Sequence, residues 1–194
     1  AKWDAPSWSA LGTGMNDYVY ALAVNGSDVY AGGYFTTAGG VAAKYVARWD
    51  GIGWSALGTG TNGYVYALAT AGSNLYAGGM FSMAGGAPAC NVAGWNGTNW
   101  SPLGNGIVST VFCLAASGSD LYAGGFFSGC WGVAANNVAK WNGSSWSALG
   151  TGTNGSVYAL AVDAGGDLYA GGLFTTAGGK VSAYFAEWQA PAPV

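Results

Sequence analysis

Eight acidic side chains, three cysteines and ten tryptophans are the residues of this 194-residue chain whose types could do chemistry. A ring of carboxylates would suit calcium binding or acid–base catalysis. Asp4 and Asp50 have Asn96 and Asn142 at the matching places 46 residues on, and Asp28, Asp120 and Asp167 have Asn74. An amide in place of a carboxylate removes the charge that either chemistry needs. No two acids stand at ligand spacing, so these positions read as turn residues. The chain has no histidine, which excludes a Ser-His-Asp triad, a Cys-His pair and imidazole metal ligands. Neither paired acids nor an activated nucleophile is present, so no catalytic residue, metal or cofactor is expected.

The other candidates are contact residues. Cys130-Trp131 stands where the matching segments have Ala38-Gly39, Ala84-Gly85 and Ala177-Gly178, so Trp131 is expected to be an exposed contact residue. Tyr34, Met80, Phe126 and Leu173 follow successive Gly-Gly pairs and either line one face or fill space. Cys113 replaces an alanine of an inner strand and reads as a buried thiol. Cys90 and Cys130 lie in matching loops and are candidates for a disulfide in a secreted protein. Asn25, Asn96, Asn99, Asn142 and Asn154 begin Asn-X-Ser/Thr sequons, four of them NG-S or NG-T turns; in a secreted protein they are potential glycosylation sites.

Charge is scarce. Five basic against eight acidic residues give a net charge of −3, with no electrostatic footprint for nucleic acid. Charged residues are 7% of the chain against roughly a quarter in average soluble domains. Hydrophobic content of 51% argues against disorder. Residues 51–119 carry no charge, but Gly, Asn, Ser and Thr interrupt them too often for a membrane span. The chain begins at Ala1 without a signal-peptide pattern, as a mature or trimmed product would.

The elements that must position these residues are repeats. YAGG recurs at Tyr30, Tyr76, Tyr122 and Tyr169, and Trp8, Trp54, Trp100 and Trp146 step by 46. Trp3, Trp49, Trp95, Trp141 and Trp188 form a second series, with one extra residue within Asp163–Asp167. Each unit carries four β-type runs; in the first these are 18–24, 28–35, 44–49 and 54–57. Asn25-Gly26-Ser27 and Asp50-Gly51 are hairpin turns between runs. No segment keeps a 3.6-residue apolar period, so no helix is expected. Four strands per 46 residues is the spacing of a propeller blade. The strict recurrence of Trp points to packing between blades rather than to sugar platforms.

Tyr30-Ala31-Gly32-Gly33 followed by Trp49 and Trp54 resembles the kelch repeat. VARWDG and WSALG are closer still to kelch-like repeats of bacterial secreted propellers and fungal cortical polarity-marker proteins. The resemblance implies an all-β propeller of four four-stranded blades, about 18–58, 64–104, 110–150 and 157–188 plus 7–12. Propellers of that kind have six to eight blades. The resemblance also implies that an N-terminal strand completes the last blade. Residues 7–12 would do this within one chain, or in a neighbour, giving an eight-bladed dimer or a head-to-tail assembly.

The leading expectation for function is a non-catalytic extracellular or cell-surface module for structure or adhesion, self-associating by strand addition. A glycan-binding propeller using Trp131 and other exposed aromatics is the alternative. A third reading is an engineered or recently amplified repeat protein without an evolved ligand. No nucleic-acid partner and no membrane span are expected.

Overall fold

The computed structural model describes residues 1–189. Strands β1 (Lys2–Asp4) and β2 (Ser7–Ser9) form an exposed N-terminal hairpin. The first blade holds β3 (Val19–Asn25), β4 (Asp28–Gly33), β5 (Thr37–Ala38), β6 (Val41–Ala42), β7 (Val46–Trp49) and β8 (Trp54–Ala56). The second holds β9 (Tyr64–Ala71), β10 (Asn74–Met80), β11 (Met83–Ala84), β12 (Ala87–Pro88), β13 (Val92–Trp95) and β14 (Trp100–Pro102). The third holds β15 (Thr110–Ser117), β16 (Asp120–Phe126), β17 (Gly129–Cys130), β18 (Val133–Ala134), β19 (Val138–Trp141) and β20 (Trp146–Ala148). The fourth holds β21 (Val157–Val162), β22 (Leu168–Gly172), β23 (Thr176–Ala177), β24 (Lys180–Val181) and β25 (Phe185–Trp188). The described residues contain no helix, as the missing 3.6-residue period predicts.

Three blades are four-stranded antiparallel meanders, β3-β4-β7-β8, β9-β10-β13-β14 and β15-β16-β19-β20. The fourth sheet is three-stranded, β21-β22-β25. The strand expected to complete it, within residues 7–12, pairs instead with β1, in the register Trp3↔Trp8. That register is the one that joins Trp49 to Trp54, Trp95 to Trp100 and Trp141 to Trp146. The N-terminal hairpin is thus the outer half of a further blade, stacked before the first.

Turn chemistry holds the meanders in register. Asp50 Oδ1 accepts the N–H groups of Ile52 and Gly53, and Asn96 and Asn142 close their turns the same way. A short hairpin unforeseen in the sequence, β5–β6 and its counterparts, lies between the second and third main strands of every blade. An asparagine latches it in three blades. Asn16, Asn62 and Asn154 each accept two backbone N–H groups there, from residues 36 and 37, 82 and 83, and 175 and 176.

Candidate functional site: two end faces and an aromatic edge

The core lies between blades, and the same contact is built three times. Val65 and Leu68 of β9 press on Gly32 of β4, Val111 and Leu114 on Gly78, and Val157 and Leu160 on Gly124. A Cβ placed on Gly78 would stand 2.6 Å from Val111 Cγ1, so the glycine is what lets the sheets approach. Farther out, Trp54 donates its indole N–H to the Leu11 carbonyl at 2.9 Å. Trp100 does so to Leu57, and Trp146 to Leu103, both at 2.8 Å. Gly58 packs under Trp95 and Trp100, and Gly104 under Trp141 and Trp146. Trp54, Trp95, Trp100, Trp141 and Trp146 therefore pack between blades.

Each half of this contact is also left exposed at one end of the array. On the leading face, Val19 and Leu22 are 41% and 66% exposed, whereas their counterparts Val65 and Leu68 are 0% and 9%. Trp8 is 69% exposed, against 8% for Trp100. A cleft of about 870 Å³, lined among others by Lys2, Leu11, Val19, Leu22, Val29 and Trp54, separates the hairpin from the first blade. On the trailing face, a Cβ on Gly171 would meet nothing nearer than 3.8 Å. Nothing lies within 4 Å of a Cβ on Gly150 or Gly178, where Gly104 and Gly85 have tryptophan neighbours. The resulting cavity, about 420 Å³, is bordered by Leu149, Leu168, Ala170, Ala186 and Trp188. One face carries the knobs, and the other carries the sockets.

The inner edge carries a second feature. The ladder between the first two strands of every blade slips by one residue, at Tyr20, Tyr66, Phe112 and Tyr158. Such a bulge re-aims the extra side chain. The four rings meet from blade to blade, with centroids 5.3, 6.0 and 4.9 Å apart. Tyr34, Tyr45 and Tyr64 extend this edge, with Tyr34 against Tyr64 at 4.5 Å. The neighbouring Tyr34 raises the Tyr64 pKa, and burial raises that of Tyr66. Tyr45 and Tyr184 adopt φ of 65° and 67°, where Asn91 and Asn137 stand in the middle blades. Asn is suited to that conformation and spends its amide there: Asn91 accepts the Phe81 N–H and donates to the Ile107 carbonyl. Tyr45 instead packs its ring against the interblade core and beside Tyr34 and Tyr64, while Tyr184 is exposed.

No known family profile and no curated protein matches the sequence. Solved structures do match. The computationally designed Ika4 protein aligns with a TM-score of 0.62 at 16% identity, over 94% of this chain and 98% of that one. The fold is a β-propeller. YCF48 bound to D1 peptide aligns with a TM-score of 0.55 at 14% identity, over 87% of this chain and 52% of that one. The WD40 β-propeller domain of Doa1 aligns at 0.55 and 17%, over 89% and 55%. The chain spans about half the length of these last two.

The remaining sequence candidates take separate places on the propeller. Trp131, at the turn of β17–β18, is 60% exposed. Tyr34, Met80, Phe126 and Leu173 are also exposed, each at or just past the end of the second strand of its blade. Cys90, Cys113 and Cys130 are free thiols in this structure, Cys90 and Cys113 half-buried and Cys130 buried. Cys130 is enclosed beside Ile107 and Phe127 in an apolar cluster. Burial pushes the Cys113 and Cys130 thiols up to about 12. Among the sequons, Asn96, Asn99, Asn142 and Asn154 are exposed, while Asn25 is half-buried and donates to the Gly72 carbonyl of the next blade. Asn154 proves to be a hairpin latch rather than a turn residue. The bulged aromatics went unread as a set, although their 46-residue recurrence beside small residues was available as a signal.

Proposed function

We propose that this chain is a self-associating, non-catalytic propeller module that joins copies through its end faces. The carrying observation is that the knobs Val19 and Leu22 and the socket at Gly171 are the two halves of a contact the chain makes three times internally. Its acids serve the frame: Asp50 closes a turn, while Asp28 pairs with Arg48 and Asp120 with Lys140, both at 2.7 Å. The low charge and the exposed sequons support an extracellular or cell-surface place, in a structural or adhesive role. The Gly-Gly and Trp spacing supports a kelch-like class of repeat. Light scattering at dilute concentration tests the reading. A mass of two or more 19.4 kDa chains is expected, and a stable monomer overturns it.

A second reading, glycan binding, is favoured by the exposed Trp131 and by the bulged row Tyr20, Tyr66, Phe112 and Tyr158. Rings held on a rigid sheet edge can stack on neutral sugar faces at little entropic cost. Glycan-array screening tests it, and silence across the array overturns it.

A further inference from the structure

Joining the trailing face of one copy to the leading face of another meets a conflict. Leu11 and Gly12 hold the β1–β2 hairpin on the first blade as Leu57 and Gly58 hold the first blade on the second. The cleft beside that hairpin lies where the inner two strands of its blade belong. If β21 and β22 of another copy enter it, β1 and the incoming β25 claim the same third position. One strand must yield.

Charge and packing both select the loser. In the first blade the third strand brings Arg48 opposite Tyr30 and onto Asp28; in the third blade it brings Lys140 opposite Tyr122 and onto Asp120. In the fourth, β25 brings Glu187 opposite Tyr169, on the strand that begins just after Asp167. Asp163 Oδ2 already accepts the Tyr169 hydroxyl at 3.5 Å, so Glu187 of β25 adds a second negative charge beside that ring. Counting back from the shared tryptophan, β1 carries Lys2 at this position. Packing agrees. Trp95 and Trp141 approach Gly58 and Gly104, but Trp188 does not come within 4 Å of a Cβ on Gly150.

The geometry points to hairpin exchange: the β1–β2 hairpin of a second copy replaces β25 on β22, bringing Lys2 opposite Tyr169 and Trp8 to the Leu149 carbonyl. This rests on the self-association proposed above. In the composite blade β25 is a placeholder, and the cation, the indole hydrogen bond and the fourth strand are all supplied by the partner.

Two cysteine pairs in the full chain separate this from simple strand addition. Lys2→Cys with Tyr169→Cys places thiols opposite each other only if β1 sits on β22. Ser9→Cys with Glu187→Cys does so only if β2 adds outside β25, in the register that joins Arg48 to Ser55. Under oxidation, an interchain link in the first pair, absent from the unsubstituted chain, is expected. A link in the second pair, or a dimer with neither link, overturns hairpin exchange but leaves self-association standing; a link of the first pair within one chain means that the hairpin closes its own last blade and overturns both. A monomer for the unsubstituted chain and every variant overturns self-association itself. As an independent measure, Lys2→Glu and Glu187→Lys are each expected to weaken association by about fivefold, the scale of a partly exposed ion pair. Under strand addition Lys2→Glu disturbs only the Lys2–Asp4 pair within the hairpin, 2.7 Å apart, and leaves association unchanged.

Discussion

Trp100 reaches across from the second blade to place its indole nitrogen 2.8 Å from the Leu57 carbonyl oxygen of the first. That oxygen also accepts the Gly60 N–H at 3.1 Å, so it closes a turn and a blade contact together. Trp100→Phe removes the longer-range bond and part of the ring but leaves the turn bond. The expected loss is about 1–2 kcal/mol in urea unfolding, from one net hydrogen bond plus lost packing. Trp8→Phe, at the exposed counterpart, leaves monomer stability unchanged and weakens association. Equal destabilisation by the two substitutions would contradict this.

Gly78 and Gly171 occupy the same place in the second and fourth blades but face opposite circumstances. Gly78→Ala drives a methyl group to within 2.6 Å of Val111 Cγ1, where the blades must part. A cost of about 1–3 kcal/mol is expected, the usual range for overpacking a core. Gly171→Ala meets only ordinary contacts in the single chain, Ala159 Cβ at 3.8 Å and the Tyr184 carbonyl at 3.9 Å, and leaves its unfolding midpoint within error. In the assembly the added methyl blocks Val19 and Leu22 of the partner, so the mass falls toward that of one chain. Unfolding curves and light scattering on both variants check the pair of outcomes.

Acid dependence isolates one turn. The backbone N–H groups of Gly53 and Ile52 hold the Asp50 carboxyl below its ordinary 3.8. An acid whose pKa is depressed by folding stabilises the fold fully above its unfolded pKa. That contribution is lost as pH falls through the folded value. Asn96 and Asn142 make the same turn without a titrating group. Asp50→Asn is therefore expected to keep stability at pH 7 and to flatten part of the decline below about pH 4. Urea midpoints measured across that range decide it.

Alkali acts through the thiols. Burial pushes Cys130 up to about 12 from 9.0, so the folded state holds the neutral thiol where the unfolded chain ionises. The stabilisation is complete below about pH 9 and is lost as pH rises through the folded value. Cys130→Ala, in a pocket 1% exposed, lowers stability at neutral pH but makes its alkaline decline shallower. At pH 8 a thiol reagent is expected to label the half-buried Cys90 first, while Cys130 reacts only on opening.

The blades were legible because each must bury the same surface, which forces Trp54, Trp100 and Trp146 into one spacing. The outer strands near Trp3 and Trp8 were legible as third and fourth strands, but not their attachment. A strand edge offers the same backbone groups to any partner, so a pattern of strands does not say which edge takes the hairpin. The bulges stayed hidden because an alternating VYALA run continues unbroken through a slip of one residue. The β5–β6 hairpins stayed hidden because Thr37-Ala38-Gly39-Gly40-Val41 has too few large side chains to mark strands. Asn154-Gly155 reads as a hairpin dipeptide, yet its side chain latches Thr175 and Thr176 about twenty residues away.

The aromatic edge and Trp131 make opposite demands on a ligand assay. Trp131 sits at the tip of β17–β18, 60% exposed, so Trp131→Ala is expected to change stability by no more than about 0.5 kcal/mol. Tyr66 touches Tyr20, Tyr64 and Phe112 and joins the rings of three blades. Tyr66→Ala therefore costs more, about 1–2 kcal/mol, through the loss of several ring contacts. Tyr66→Phe keeps the ring and removes the hydroxyl, leaving stability near that of the unsubstituted chain. If the edge binds glycans, Tyr66→Phe retains stacking but loses a hydrogen bond, and Trp131→Ala leaves binding intact. If the β17–β18 tip is the site, the order reverses. Titration of one glycan hit against both variants, with unfolding curves as the control for folding, assigns the surface.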